Sequence, residues 1–481
     1  MSSDHCKKYP NQILAHSLLA LLVAGFPAVQ AAAQQVPTQI PGQSPGPTAG
    51  SFAGSVATGQ ANGQTLGLSL DEAMQRGLKN NLGAILSGTQ KDSARAQRLT
   101  QLQALLPDVE FNAREAVSQV DLAAQGLRIP GFPTIIGPFG YTDLRASLSW
   151  SLIDIKSLRT YMAAKHQFRA AELTEQDARD MVVLTVGNAY MLVLADQGRV
   201  ESYQAQVATS KVSLDQAKAN HDAGTAPKLD VLRAQVDYQT LEQQLIVAQN
   251  ALEKDKLSLA RAIGLPLDQK FNLTDKAPYA VFDKLDVDAT IKQAHANRKD
   301  LAAMVEQTKA AEDQRKAATA DRLPTVKFDG DYGDIGVNVR HSHGTGDASG
   351  TLSVPVFKEF GLRGEAEVAQ SQLDTQKAQM SDLNAQVDAD VRDALLDIEA
   401  AQKQVEVARS SVDLATEALS EAQQRYANGV SDNLAVSQAQ QSVAQANDQY
   451  VSSLYRDNVA KLSLVRALGV GQDYSKYLGG K

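Results

Sequence analysis

Apolar residues recur at every seventh position at Val186, Val193, Val200, Val207 and Leu214, and again 205 residues later at Val391, Ile398, Val405, Val412 and Leu419. A strict seven-residue repeat makes helices that supercoil around neighbours. Gly224 and Gly429 obey the same 205-residue offset, as do Gly264 and Gly469, and the two glycines of each half are 40 residues apart (264−224, 469−429). The spacing predicts a long helical hairpin that occurs twice, a bundle or tube rather than one compact catalytic core. Ala394, Ala401, Ala408, Ala415 and Ala422 follow the second repeat by three positions and let helix axes approach closely. The return helices carry Val231, Tyr238, Leu245, Leu252 and Leu259, then Val436, Val443, Tyr450, Asp457 and Leu464. Asp457 breaks that seam and predicts a locally exposed, water-facing patch. Thr185, Asp196 and Tyr203 interrupt the apolar face of the first long helix and mark lumen or inter-helix contacts.

Aromatics make up only 5% of the 481 residues, with a single tryptophan, which suits long coiled helices better than a globular enzyme core. A net charge of −8 without a long basic cluster argues against a nucleic-acid partner. Lys7 and Lys8 precede an apolar run, Ile13 to Val23, and small residues follow with cleavage placed near Ala31 or Ala33. Residues 1–33 therefore read as a secretory signal, since the run is short for a membrane anchor. Cys6, the only cysteine, lies upstream of that run, so the mature chain is expected to have neither a disulfide nor a lipidated cysteine. Residues 34–65, rich in Gln, Pro, Gly, Ser, Thr and Ala, read as a flexible lead.

Ordered structure is expected to begin near Leu68, with Ser69 as the N-cap of a helix whose first turn holds Asp71 and Glu72. That helix is predicted to run to about Leu105, where Pro107 ends it. Its counterpart spans about Val287 to Leu323 and ends at Pro324. After each proline the period changes to two. Val109, Phe111 and Ala113, then Leu144, Ala146, Leu148, Trp150 and Leu152, alternate with polar residues. Val326, Phe328, Gly330 and Tyr332, then Leu352, Val354 and Val356, do the same. The fold class is mainly α with a small β part, four strands per chain. Two-faced strands suit a water-soluble sheet as well as a membrane barrel with a polar lumen. A loop of about 20 residues with Pro130, Gly131, Pro133, Gly137 and Pro138 joins the first pair, and one around His341 to Ala348 joins the second.

Four strands cannot close a membrane barrel, and an open edge is not tolerated in lipid, so several chains would have to share one. Two chains would supply eight strands, which side chains fill; three would supply twelve and leave a lumen.

The order helix, strand, strand, helix, helix occurs twice. Leu106-Pro107 and Leu323-Pro324 open the sheet segments, Leu352 to Phe357 (LSVPVF) ends a strand, and Ala223-Gly224-Thr225 and Asn428-Gly429-Val430 form the turns. With Asp230-Val231-Leu232 after the first turn, these features resemble the TolC family of outer-membrane efflux proteins from Leu68 to Val470. The resemblance divides the chain into a first repeat, 66–285, a second, 286–472, and a tail, 473–481. It implies a homotrimer whose twelve-stranded barrel sits in the outer membrane of a Gram-negative-type bacterium, above a periplasmic α-barrel. It implies a passive exit duct for small molecules or proteins, reached from an inner-membrane pump through a periplasmic adaptor, with no catalysis and no cofactor. Adaptor docking would fall on the hairpin tips, at Gly224, Thr225, Ala226, Gly429, Val430 and Ser431. Some relatives guard the entrance with an arginine and acidic residues, but the matching positions here are Ser431, Ala435 and Gln438, which leaves Asp230 and Asp432 as the acidic groups at the entrance.

Tyr141 and Trp150 are candidates for an aromatic belt at the membrane interface or for packing in a soluble sheet. His341 and His343 have metal-ligand chemistry, but a closed site needs more ligands, so no metal is expected. There is no phosphate-binding glycine loop, no Gly-x-Ser-x-Gly and no His-Glu-x-x-His. The competing reading is a soluble periplasmic coiled-coil adaptor or structural interaction protein.

Overall fold

The computed structural model describes residues 49–478 except 62, 125, 429 and 432. The signal segment and the first part of the lead lie outside the described residues. The chain runs β1 (Leu66–Leu68), α1 (Leu70–Asn80), α2 (Leu82–Gln103), β2 (Asp108–Asp121), β3 (Ile135–Ile153), α3 (Ile155–Asp222) and α4 (Lys228–Ile263). It continues as β4 (Phe271–Leu273), α5 (Val287–Asn297), α6 (Lys299–Ala320), β5 (Thr325–Gly336), β6 (Ser342–Ser353), α7 (Glu359–Ala427), α8 (Asn433–Leu468) and a short α9 (Tyr474–Leu478). At ~1.5 Å rise per residue, α3 and α7 are each about 100 Å long.

The seven-residue repeat is the core. Val186 and Val193 of α3 are fully buried with Leu68, Met74, Tyr190, Leu259 and Ile263, while Val391 and Ile398 of α7 pack with Val387, Leu464 and Leu468. Toward the tips the same register is only half-buried, as at Val207, Val412 and Leu419. By length and composition α3 could cross a membrane, but 56% of its apolar stretch is buried inside the fold. That stretch packs on α1, α4 and α8, so it belongs to the protein core.

Ser69 caps α1 as its sequence predicts, its hydroxyl accepting from the Glu72 amide at 3.3 Å. The expected single helix to Leu105 is nevertheless two. Asn81 is extended (ψ 133°), its side chain accepts from the Gly83 amide at 2.9 Å, and it donates to the carbonyls of Phe52 (2.7 Å) and Ala262 (3.2 Å). The second helix breaks likewise at Arg298 (ψ 123°), whose buried guanidinium donates to Asp300 and Asp390, both at 2.6 Å. Each break receives the positive-φ glycine of its half. A Cβ on Gly264 would lie 2.6 Å from Asn80 Cβ, and one on Gly469 would lie 2.9 Å from Arg298 Cα. Part of the segment read as a flexible lead is docked here. Phe52 is buried against Gly83, and the amides of Val56 and Thr58 donate to Asn80 and Gly264 carbonyls.

The offset between halves is 205 at the hairpins (469−264) but 217 at the breaks (298−81). Residues 274–286 join β4 to α5, where Ser69 alone joins β1 to α1. This linker crosses α8. The Pro278 and Ala280 carbonyls accept from Asn458 Nδ2 (3.0 Å) and Lys461 Nζ (2.7 Å). Lys461 also donates to Asp457 Oδ2 at 2.7 Å, with both side chains at 0% exposure. The water-facing patch expected at Asp457 is thus corrected: the linker covers it and Lys461 neutralises it.

β1 and β4 pair in parallel, Leu66 opposite Phe271, again at the 205-residue offset. The other four strands form an antiparallel sheet in the order β2-β3-β5-β6. The long loop spans only 122–134, with Gly137 and Pro138 already in β3. The second loop closes at His341, so His343 is a strand residue opposite Ile335, and Val354 and Val356 lie beyond β6. Below the sheet the helices stand in a row, α2-α3-α6-α7, and nearer the hairpin tips the row is α4-α3-α8-α7.

Candidate functional site

Cross-strand partners share a face, so register sorts the sheet into two surfaces. One surface contains the rows Val109-Leu148-Gly330-Ala348, Phe111-Ala146-Tyr332-Gly346 and Trp150-Phe328-Gly350. Its large side chains point outward unprotected: Val109, Phe111 and Tyr332 are 69%, 70% and 72% exposed. Along β3 this apolar series runs from Leu144 to Leu152, the nine or so residues a tilted strand needs to cross a bilayer. Asp334 stands opposite Leu144 at the end of that series, and past it the same face carries Thr142 and Glu115.

The opposite surface is charged and hydroxylic, with rows Asp108-Ser149-Asp329-Ser349, Glu110-Ser147-Asp331-Asp347 and Asn112-Arg145-Gly333-Thr345. Arg145 spans three strands here. It donates to Asp331 of β5, to Thr345 Oγ1 of β6 at 3.1 Å and to Asp143 of β3 at 3.3 Å. Ser149 Oγ donates to Asp329 Oδ1 at 2.7 Å. A sheet with one oily and one ionic face has no interior of its own. Its edge strands β2 and β6 also leave their outer backbone groups without strand partners among the described residues.

Trp150 lies on the apolar face, and its Nε1 donates to the Leu105 carbonyl at 3.2 Å. Tyr141, by parity, is on the polar face, with the Arg114 guanidinium 5.9 Å from its ring centroid. The two aromatics therefore do not form one belt. Among the described residues no group of three or more His, Cys, Asp and Glu side chains could hold a metal ion. His341 Nδ1 lies 2.8 Å from Asn338 Oδ1 in its own turn.

At the far end, α3 stops because Gly224 takes φ +77°, which lets the Thr225 amide reach back to the Asn220 carbonyl at 2.9 Å. At the second tip the Val430 amide donates to Arg425 at 3.0 Å, the same bond 205 residues on. Thr225 and Val430 are exposed, while Ala226 and Ser431 are half-buried. Gly429 and Asp432 lie outside the described residues. Asp230 does not face solvent as a helix-start charge would. It is buried, Arg233 is 3.9 Å from its carboxylate, and its carbonyl accepts from Asn433 of the other tip at 3.3 Å. Gln438 is exposed. Sequence reasoning missed Asn433, which joins the tips, and Tyr426, whose buried hydroxyl has no partner among the described residues.

Of the three polar residues expected to interrupt α3, Thr185 bonds back to Met181 of its own helix at 2.8 Å. Asp196 and its neighbour Arg199 instead reach other helices. Arg199 donates to Asp196 Oδ1 (2.8 Å), to Asp448 Oδ1 (2.7 Å) and to Ser452 Oγ (3.4 Å) of α8. Tyr203 sits half-buried close to Asp448.

Long paired helices under an open two-faced sheet define a membrane-embedded conduit component. Residues 88–265 and 290–470 match the outer membrane efflux protein family, and the chain belongs to that family. A probable efflux pump outer membrane protein of Pseudomonas putida, SepC, is 24% identical over 413 residues, covering 84% of this chain and 83% of that protein. TolC of Vibrio cholerae is 24% identical over 262 residues, covering 53% and 56%. Among solved structures, the outer membrane protein VceC of Vibrio cholerae superposes with a TM-score of 0.73 at 20% identity, covering 83% of this chain and 96% of that one. The CmeC channel of Campylobacter jejuni gives 0.73 at 18% identity, covering 85% and 88%. The protein is an outer-membrane efflux component, and the soluble-adaptor reading is set aside.

Proposed function

We propose that three copies of this chain, built by internal duplication of the helix-strand-strand-hairpin unit, close into one duct. Each would give four strands to a twelve-stranded barrel and its long helices to a periplasmic tube. The observation that carries this is the sheet itself, long, two-faced and open at β2 and β6. Lipid does not tolerate open edges, and only a symmetric partner offers β6 a matching β2. Closure turns the Phe111 face to lipid and the Arg145 face to a water-filled lumen. The helix rows end in the same way, at α2 and α4 on one side and α7 on the other, and exposed apolar residues mark those sides (Val236, Ile246 and Val247; Leu396, Val407 and Leu414).

The duct is passive. Its cargo arrives from an inner-membrane pump through a periplasmic adaptor, as the names of efflux-pump relatives suggest for those proteins. The adaptor meets the tips at Gly224, Thr225, Ala226, Gly429, Val430 and Ser431, with Asp432 and Gln438 at the entrance, while Asp230 is buried where the two tips join. Trp150 anchors the lipid-facing band near its periplasmic end. Purified protein added to a planar bilayer should give discrete ion-conductance steps; a bilayer that stays silent at every voltage and pH would overturn the reading.

A further inference from the structure

One charged cluster has no part in the barrel or the tips. It lies along α3, α4 and α8, where the first hairpin meets the second. The Asp196 side chain is 4% exposed and gives Oδ1 to Arg199, while Oδ2 is buried without a partner among the described residues. The Asp255 carboxyl of α4 is within hydrogen-bond reach of it. Arg199, which could neutralise Asp196, is shared with Asp448 and Ser452 of α8. The remaining ionisable groups here are Tyr203 on α3 and Tyr455 on α8, whose hydroxyls burial pushes up; neighbouring carboxylates add to this, Asp448 at Tyr203, Asp255 and Asp196 at Tyr455.

We propose that a proton held on the Asp196 carboxyl bridges it to Asp255 and so latches α4 to α3 beside the Arg199 bridge to α8. The proton turns a contact between two anions into a donated hydrogen bond at a carboxyl that is otherwise incompletely satisfied. When it leaves, the carboxylates repel and α4 loosens from the α3-α8 seam, widening the tube. Burial, with the Asp255 contact adding to it, raises the Asp196 carboxyl to about 6. A raised carboxyl stabilises the closed arrangement in acid and loses that contribution as pH rises through about 6. With the open form titrating near the ordinary value of about 4, local opening should be roughly tenfold greater at pH 7.5 than at pH 5. The latch rests on the duct reading only for its effect on conduction.

Two measurements test it on the full-length assembly. Backbone hydrogen exchange of α4 around Leu252–Leu259, corrected for the intrinsic pH dependence of exchange, reads the latch without conduction. The native chain should lose about tenfold in protection from pH 5 to pH 7.5, and Asp196→Asn, whose amide donates permanently to Asp255, should stay protected throughout. Bilayer conductance should rise over the same range in the native chain and stay at its acid value in Asp196→Asn. An Asp196→Asn profile that still titrates like the native one, or a native profile that is flat, overturns the latch. If exchange titrates as described while no conductance step is seen at any pH, the latch stands and the duct reading fails.

Discussion

Replacing Lys461 with methionine strands a buried anion, and its size can be worked out. Lys461 and Asp457 are both at 0% exposure, and among the described residues the ammonium is the only cation paired with that carboxylate. Without it, Asp457 must stay charged in a dry site or take up a proton. Proton uptake sets the ceiling. A carboxyl with an unfolded value near 3.9 costs about 1.4 kcal/mol per pH unit to protonate above that value, so about 4 kcal/mol at pH 7 and about 1.5 at pH 5. The Ala280 carbonyl also loses its donor, about 1 kcal/mol at any pH. The deficit should thus be about 5 kcal/mol at pH 7 and roughly half that at pH 5, within the usual range for breaking a buried pair. The direction agrees with the native chain, in which burial pushes the Asp457 carboxyl up and Lys461 opposes it. Hydrogen exchange across the linker, residues 278–282, and the facing turn of α8 measures the local opening free energy in detergent. Asp457→Leu combined with Lys461→Met should recover most of the loss, because no charge remains buried. A deficit below about 1 kcal/mol at pH 7, or one that does not shrink in acid, would refute this reasoning.

Three further outcomes are expected. Asn81→Ala removes a cap and two donated bonds, and should cost about 2–3 kcal/mol and release residues 50–58 together with the α1–α2 break, read by proteolysis near Phe52. In Gly187→Val the new Cβ would meet Leu462 Cδ1 at 2.8 Å and Met74 Cε at 3.0 Å; overpacking of about 1–3 kcal/mol should lower the thermal midpoint without changing assembly size. Phe111→Arg puts a charge on the surface we propose faces lipid, at about 2–4 kcal/mol per copy, and should deplete the protein from outer membranes, whereas Ser147→Arg, on the other face of the same sheet, should insert normally.

Periodicity made much of this fold legible. The seven-residue series predicted which faces of α3 and α7 are buried, and the two-residue series predicted which face of β2, β3 and β5 is apolar, whereas two of the three residues read for the fourth strand lie beyond β6. Local pattern fails where the partner is far away in sequence. Neither Asn81 nor Arg298 is a helix breaker by propensity; each breaks its helix because distant groups, the Ala262 carbonyl or the Asp390 carboxylate, satisfy it there. Asp457 reads as exposed until the 274–286 linker folds across it, and Asp230 until the second tip covers it. Tyr141 and Trp150 were separable by parity alone, since an odd and an even position on one strand point to opposite faces. Asp196 was visible as an interruption of an apolar face, but its partners on α4 and α8 were not, because inter-helix register is set by packing.

The central claim is that this chain cannot close its own barrel, and the mass of the complex extracted from outer membranes tests it most directly. Light scattering in mild detergent, with the detergent subtracted, should give three chains per particle. A monomer, or protein that leaves the envelope without detergent, would contradict the account.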